Sequence, residues 1–193
     1  MNDTRIPMLV TAAAQMHEAI RRMEALTAGL SDEQANFRPA PKKWSINECL
    51  EHINLTNRLY VQKLEPALAK ARSKGLTGGE PYGNGTWIGR YILNNLRQGP
   101  QAPKVPAPGA FKPKRSNLKL AEQVEQFRSH AEKLAELAGQ AEGLALGKVR
   151  FGSPVLALFR MTAAQIFEIT HLHSHRHLNQ AERVKQAEGF PTA

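Results

Sequence analysis

TAAQIFEITHLHSHRHLNQAERV, residues Thr162–Val184, is the stretch that decides the fold. Thr162 and Gln165 stand three apart just ahead of a periodic apolar run. That is the spacing of a capping box, in which the cap hydroxyl accepts from the N3 amide and the N3 side chain reaches back. Apolar residues then recur with the period of a helix, not the strict alternation of a strand. The spacing predicts a helix to about Ala187, with Gly189 and Pro191 beyond it. Its histidines offer two pairs at i, i+4: His171 with His175, or His173 with His177. Ile166, Ile169, Thr170, Gln180, Ala181 and Val184 share the phase of His173 and His177. Ala164, Phe167, Glu168, Leu178 and Glu182 share the other phase, a face with two carboxylates. The apolar stripe therefore points His173 and His177 inward and leaves His171 and His175 toward solvent. Inward imidazoles need partners, either a metal ion or hydrogen bonds within the core. H-x-x-x-H is short enough to arise by chance, so the pair alone does not choose between them.

A second capping box, Ser45-Ile-Asn-Glu48, opens another helix carrying Ile53, Thr56, Tyr60, Leu64 and Leu68 and ending near Lys74-Gly75. His52 lies two turns into it, one residue off the Cys49, Ile53, Thr56 stripe, at the border of the core. Three inward imidazoles from two helices match a three-histidine site with an open position for water or substrate. The alternative is a half-buried histidine bonded to a neighbour.

Outside these two helices, a first helix spans about Thr4–Ala28, with Ile6, Leu9, Val10, Ala13, Ile20 and Met23 at helical spacing and Gly29 at its exit. Residues 31–43 read as turns, with Pro39 and Pro41 forbidding a helix interior. A helix from Ser116 or Asn117 carries Leu118, Val124, Phe127, Leu134 and Leu137 and ends around Gly139–Gly143. The connection between, residues 75–116, is rich in Gly and then Pro, with a short helix expected over Thr86–Leu96. Four long helices and one long crossover between the second and third predict an all-α four-helix bundle, a single domain over 1–193.

A chain of 193 residues, 41% hydrophobic, can bury a core without disulfides or a structural metal, so a bound metal would be functional. Its one cysteine, Cys49, permits no internal disulfide and fits a reducing compartment. The apolar run Ile6–Ala14 faintly imitates a signal peptide, but its periodicity continues into Arg21-Arg22-Met23-Glu24. No segment approaches the roughly 20 apolar residues of a membrane span. A cytoplasmic protein with no membrane partner is expected. The net charge of +9 can attract anions. The densest basic run, Lys112-Pro-Lys-Arg115, sits in a Pro-rich connection without a stacking aromatic array. It reads as a solvated basic surface with no specific nucleic-acid partner.

Further residues could carry chemistry. Glu48, one turn before His52, is a weak candidate for a general base, although its capping box already explains it. Cys49 is either a soft ligand or plain core. Gln180, one turn after His177, either bonds near the site or bridges helices, and Trp44 either lines a pocket or staples a helix start. Trp87 and Tyr91, with Arg90 and Arg97 nearby, form an aromatic face that either walls the metal pocket or caps the bundle.

Three stretches carry a family likeness: Leu30–His52, which ends in Trp44-Ser45 followed by His52; Ser153-Pro154 to Thr162; and the H-x-x-x-H-x-x-Q segment from His173 to Val184. In these the chain resembles the DinB-like family of bacterial bundle proteins. The resemblance implies an up-down-down-up bundle, His52, His173 and His177 as ligands of one divalent metal ion, and frequent homodimers. Zinc or nickel suits such a donor set best, with iron, manganese or copper also accommodated. Family members include thiol S-transferases that use low-molecular-weight thiols, and metal-dependent hydrolases. The expected function is therefore a metal-dependent enzyme that activates water or a thiol and acts on a small molecule. The alternatives are a non-catalytic metal-binding, small-ligand-binding or stress-response protein, and a basic nucleic-acid-associated protein with a vestigial site. The 75–116 connection departs from the family pattern.

Overall fold

Side-chain caps set where four of the helices begin. A computed structural model describes residues 6–78, 83–98, 108–115, 117–154 and 158–192. The helices are α1 (Pro7–Thr27), α2 (Asp32–Asn36), α3 (Ile46–Ser73), α4 (Trp87–Arg97), α5 (Leu120–Gln140) and α6 (Ala163–Lys185). Both expected capping boxes form. Ser45 accepts from the Glu48 amide at the head of α3, and Thr162 accepts from Gln165 at the head of α6. Thr86 caps α4 by accepting from Gly89.

Three local features differ from the expectation. A third capping box, Ser31 with Gln34, folds α2 inside the stretch read as turns. α5 starts at Leu120, later than expected, because residues 117–119 are held against α2. Asn36 exchanges hydrogen bonds with Leu118, and Asp32 accepts from the Leu120 amide. Finally, an antiparallel ribbon of β1 (Arg150–Gly152) and β2 (Arg160–Thr162) feeds the chain into α6, pairing Phe151 with Met161. Three-residue strands are too short to print an alternation in the sequence.

The four long helices α1, α3, α5 and α6 form the bundle, and cross-helix contacts give their directions. Arg128 on α5 meets Glu24 at 2.7 Å while Glu142, just past α5, accepts from Ile6 at 3.0 Å, so α1 and α5 are antiparallel. Asn54 and Glu65 of α3 meet Gln123 and Lys133 of α5 in the same order, so α3 and α5 are parallel. Gln15 and Leu26 of α1 accept from His175 and Lys185, so α1 and α6 are parallel. The bundle runs up-down-down-up. Its core contains Leu9, Met16, Met23, Ile46, Leu50, Ile53, Leu64, Phe127 and Phe167.

Helix α4 lies outside this bundle, docked on the start of α6. The Gln165 carboxamide accepts from the Thr86 amide at 3.1 Å and donates to the Thr86 carbonyl at 3.0 Å. Gly89 makes the approach possible, because a Cβ there would sit 2.3 Å from Gln165 Cδ.

Candidate metal centre

The second turn of α3 and the middle of α6 face each other where the two helices cross. There the ring nitrogens of His52, His173 and His177 come within 4.8 Å of one another. His52 and His173 approach through their Nε2 atoms at 3.0 Å. The His52 and His177 ring centroids are 4.4 Å apart, those of His173 and His177 4.6 Å.

Hydrogen bonds on the far side of two rings settle which nitrogen carries the proton. His52 Nδ1 lies 2.6 Å from the Phe111 carbonyl oxygen, and His177 Nδ1 lies 3.0 Å from Gln180 Oε1. Both oxygens can only accept, so both Nδ1 atoms donate, and each ring keeps its Nε2 as a lone pair. A proton shared between His52 and His173 would satisfy that pair and leave His177 without a donor. A cation satisfies all three. His173 meets the His52 lone pair through Nε2, so without a metal that nitrogen carries its proton, while its buried Nδ1 has no partner among the described residues and can take the proton over when Nε2 ligates.

Electrostatics favour the neutral, ligating form of every ring. Burial holds His52 below the ordinary value of 6.5, opposed by its bond to Phe111. Burial, with the neighbouring His177 and His52 next, pushes His173 well below it. Burial and then His52 bring His177 down to about 3, with Gln180 acting in the opposite sense. Neutral imidazole is the form that binds a metal, and the donor set, tautomers and convergence fit a divalent ion.

Trp44 forms an aromatic wall, its ring centroid 4.8 Å from His52 and 5.9 Å from His177. Of the long connection, a 3-10 turn (Gly109–Phe111) reaches the site and supplies the carbonyl behind His52. Trp87 and Tyr91 are exposed on α4, where Trp87 meets Phe159 edge-on at 6.0 Å. Their guanidinium neighbours are engaged elsewhere: Arg97 pairs with Glu168, and Arg90 donates to the Asn84 carbonyl.

Glu48 is buried, and its carboxylate accepts from Arg38 and from the Ser45 amide. Cys49 is fully buried in the core, where burial pushes its thiol up. The solvent-facing assignment of His171 and His175 is corrected. His171 is buried, and burial lowers it to about 4. His175 is half-buried, taking a hydrogen bond from Arg22 at 2.9 Å and donating to the Gln15 carbonyl at 3.1 Å. Docking of α4 and α1 covers the faces of α6 that a single apolar stripe leaves open. Sequence reasoning also missed the Phe111 carbonyl, a main-chain atom that no residue type advertises.

A family model described as the DinB superfamily matches residues 15–181, a span that includes all three histidines. The chain belongs to the DinB superfamily. No curated protein and no solved structure matched it. Membership agrees with the helical bundle and with a histidine cluster able to hold a metal ion in this DinB chain. Among its described residues, no helix is long and apolar enough to cross a membrane.

Proposed function

We propose that this DinB-superfamily protein holds one divalent metal ion, zinc or nickel, through His52, His173 and His177, and uses it as an enzyme of thiol S-transferase or hydrolase type. The observation that carries this reading is the convergence of three neutral imidazoles, two of them locked by acceptors on Nδ1. A divalent ion in such a set acts as a Lewis acid, making a nucleophile of water or a thiol near neutral pH. The protein's own part is to orient the ligands through Phe111 and Gln180 and to shield one side with Trp44. A small-molecule substrate, such as a low-molecular-weight thiol and its electrophilic acceptor, would enter on the remaining side.

Glu48 favours a second reading, in which the site binds a metal or small ligand without turnover. Its carboxylate is held by Arg38 and the helix cap, which engages the acid one turn before His52 in structure rather than leaving it to serve as a base. We also propose a homodimer in the cytoplasm. The exposed Trp87, Tyr91, Leu158 and Phe159 support an interface, and the single reduced cysteine supports the compartment.

Elemental analysis of purified protein tests the metal. His52→Ala, His173→Ala and His177→Ala should each lose most of it, while His171→Ala and His175→Ala keep it. Equal losses from all five would refute the ligand set. Screening the loaded protein against thiol and ester substrates separates the enzyme from the binding protein, and sedimentation at tens of micromolar tests the dimer.

A further inference from the structure

Glu51 precedes His52 on α3, and both side chains engage the same passing segment. His52 Nδ1 donates to the Phe111 carbonyl at 2.6 Å. Three and four residues further along, the Lys114 amide donates to Glu51 Oε2 at 3.2 Å, and Arg115 Nε lies 3.5 Å from Glu51 Oε1. Glu51 is only 6% exposed, although Arg115 reaches well into solvent. The Phe111 ring is itself buried and faces Tyr60, with centroids 6.2 Å apart.

We propose that Glu51 is a positioning residue: it clamps the 111–115 strap across α3 and thereby sets the nitrogen that His52 offers to the metal. This rests on the metal reading above and deepens it. A carboxylate shielded from water is costly unless it is paired, and among the described residues Glu51 finds its partners, the Lys114 amide and Arg115, on the strap. Lifting the strap therefore strips Glu51 of its donors and His52 of its acceptor together. Without the Phe111 carbonyl, His52 is free to move its proton to Nε2 or to turn its ring, and either change removes the lone pair from the cluster. The groups behind a ligating histidine fix its tautomer and orientation and are worth about 10–100-fold in metal affinity. Coupling runs both ways by linkage, so a metal on Nε2 tightens the strap. The basic run Lys112–Arg115 thereby acquires a role, because its backbone and Arg115 close the clamp on an acidic residue beside the site.

The test is Glu51→Gln, which keeps the side chain's size and removes its charge, read in three ways. Imidazole nitrogen NMR of the metal-free protein should show His52 protonated on Nδ1 in the wild type and a tautomer mixture in the variant. Chelator-competition titration with Zn²⁺ should give about tenfold weaker binding in the variant. Hydrogen exchange at the Lys114 amide should slow on adding Zn²⁺ to the wild type and not to the variant. Glu136→Gln, an exposed substitution, should change none of these. If Glu51→Gln folds poorly, Arg115→Ala on the exposed side of the clamp carries the same measurements in the same direction. An unchanged His52 tautomer together with unchanged Zn²⁺ affinity overturns the clamp while leaving the metal reading intact. A wild type that binds no Zn²⁺, but whose His52 tautomer still depends on Glu51, overturns the metal reading and keeps the clamp.

Discussion

Gln180→Ala isolates the hydrogen bond behind His177. In the wild type, His177 Nδ1 donates to Gln180 Oε1 at 3.0 Å across less than one helical turn, so the acceptor is held by α6 itself. Removing it costs a net hydrogen bond of about 1 kcal/mol and leaves a shielded N–H with a penalty of about 1–3 kcal/mol. Part of that penalty is avoided when the ring moves its proton to Nε2, but that change removes the lone pair from the cluster. Either route lowers metal affinity by about 1.4 kcal/mol, which is about tenfold. The helix should survive, since alanine is the better helix former and Gln180 caps nothing. Gln180→Glu supplies a charged acceptor in the same place and should match or exceed the wild type, because charge-assisted bonds are roughly twice as strong. Chelator-competition titration with Zn²⁺ on the three proteins reads the series directly. Wild-type affinity in Gln180→Ala, at an unchanged Tm, would refute the argument that this bond sets the ligand's tautomer.

The exposed positions of Trp87 and Tyr91 predict that replacing both by alanine leaves Zn²⁺ affinity unchanged; a clear loss would mean that α4 closes over the histidines. Gly89→Ala should destabilise the protein despite a helix-propensity gain of about 1 kcal/mol. Its Cβ would displace the Gln165 carboxamide and break its bonds to Thr86, each worth about 1 kcal/mol, so thermal melting should show a net loss. Acid should weaken the metal-free protein in a window set by its histidines. His52, His130, His171, His173 and His177 all lie below 6.5 when folded, with His171 at about 4 and His177 at about 3. The unfolded chain therefore binds more protons below 6.5, and stability falls as pH drops from there toward 4. Denaturant unfolding at several pH values checks this, and a flat profile between pH 7 and 5 would contradict it.

The long helices could be read before any contact was known, because the periodicity and caps that mark them lie within a few residues, whereas α2 was hidden in a stretch read as turns. The Ser45–Glu48 and Thr162–Gln165 boxes are interactions between near neighbours, so the sequence carries both partners in one short window. The same locality explains why Thr86 marked the start of α4 and why helical phase selected His173 and His177 over His171 and His175. Phase failed where it assumed one buried face. Helix α6 packs against α3 through His173 and His177, against α1 through His175, and against α4 through Gln165 and Glu168. A histidine on any of those faces is shielded, and no periodicity within α6 can report that another helix will cover it.

The sequence by itself determined the four long helices, the caps of α3 and α6 and the three imidazoles available to a metal, through interactions spanning three or four residues. Only the tertiary structure decided how His52 is protonated, whereas the acceptor behind His177 is Gln180 of the same helix. His52 depends on the Phe111 carbonyl, fifty-nine positions away. That acceptor is a main-chain atom common to every residue, so its identity leaves no mark in composition or spacing. It becomes specific only when the strap is laid across α3 and clamped there by Glu51, which requires the bundle to have closed.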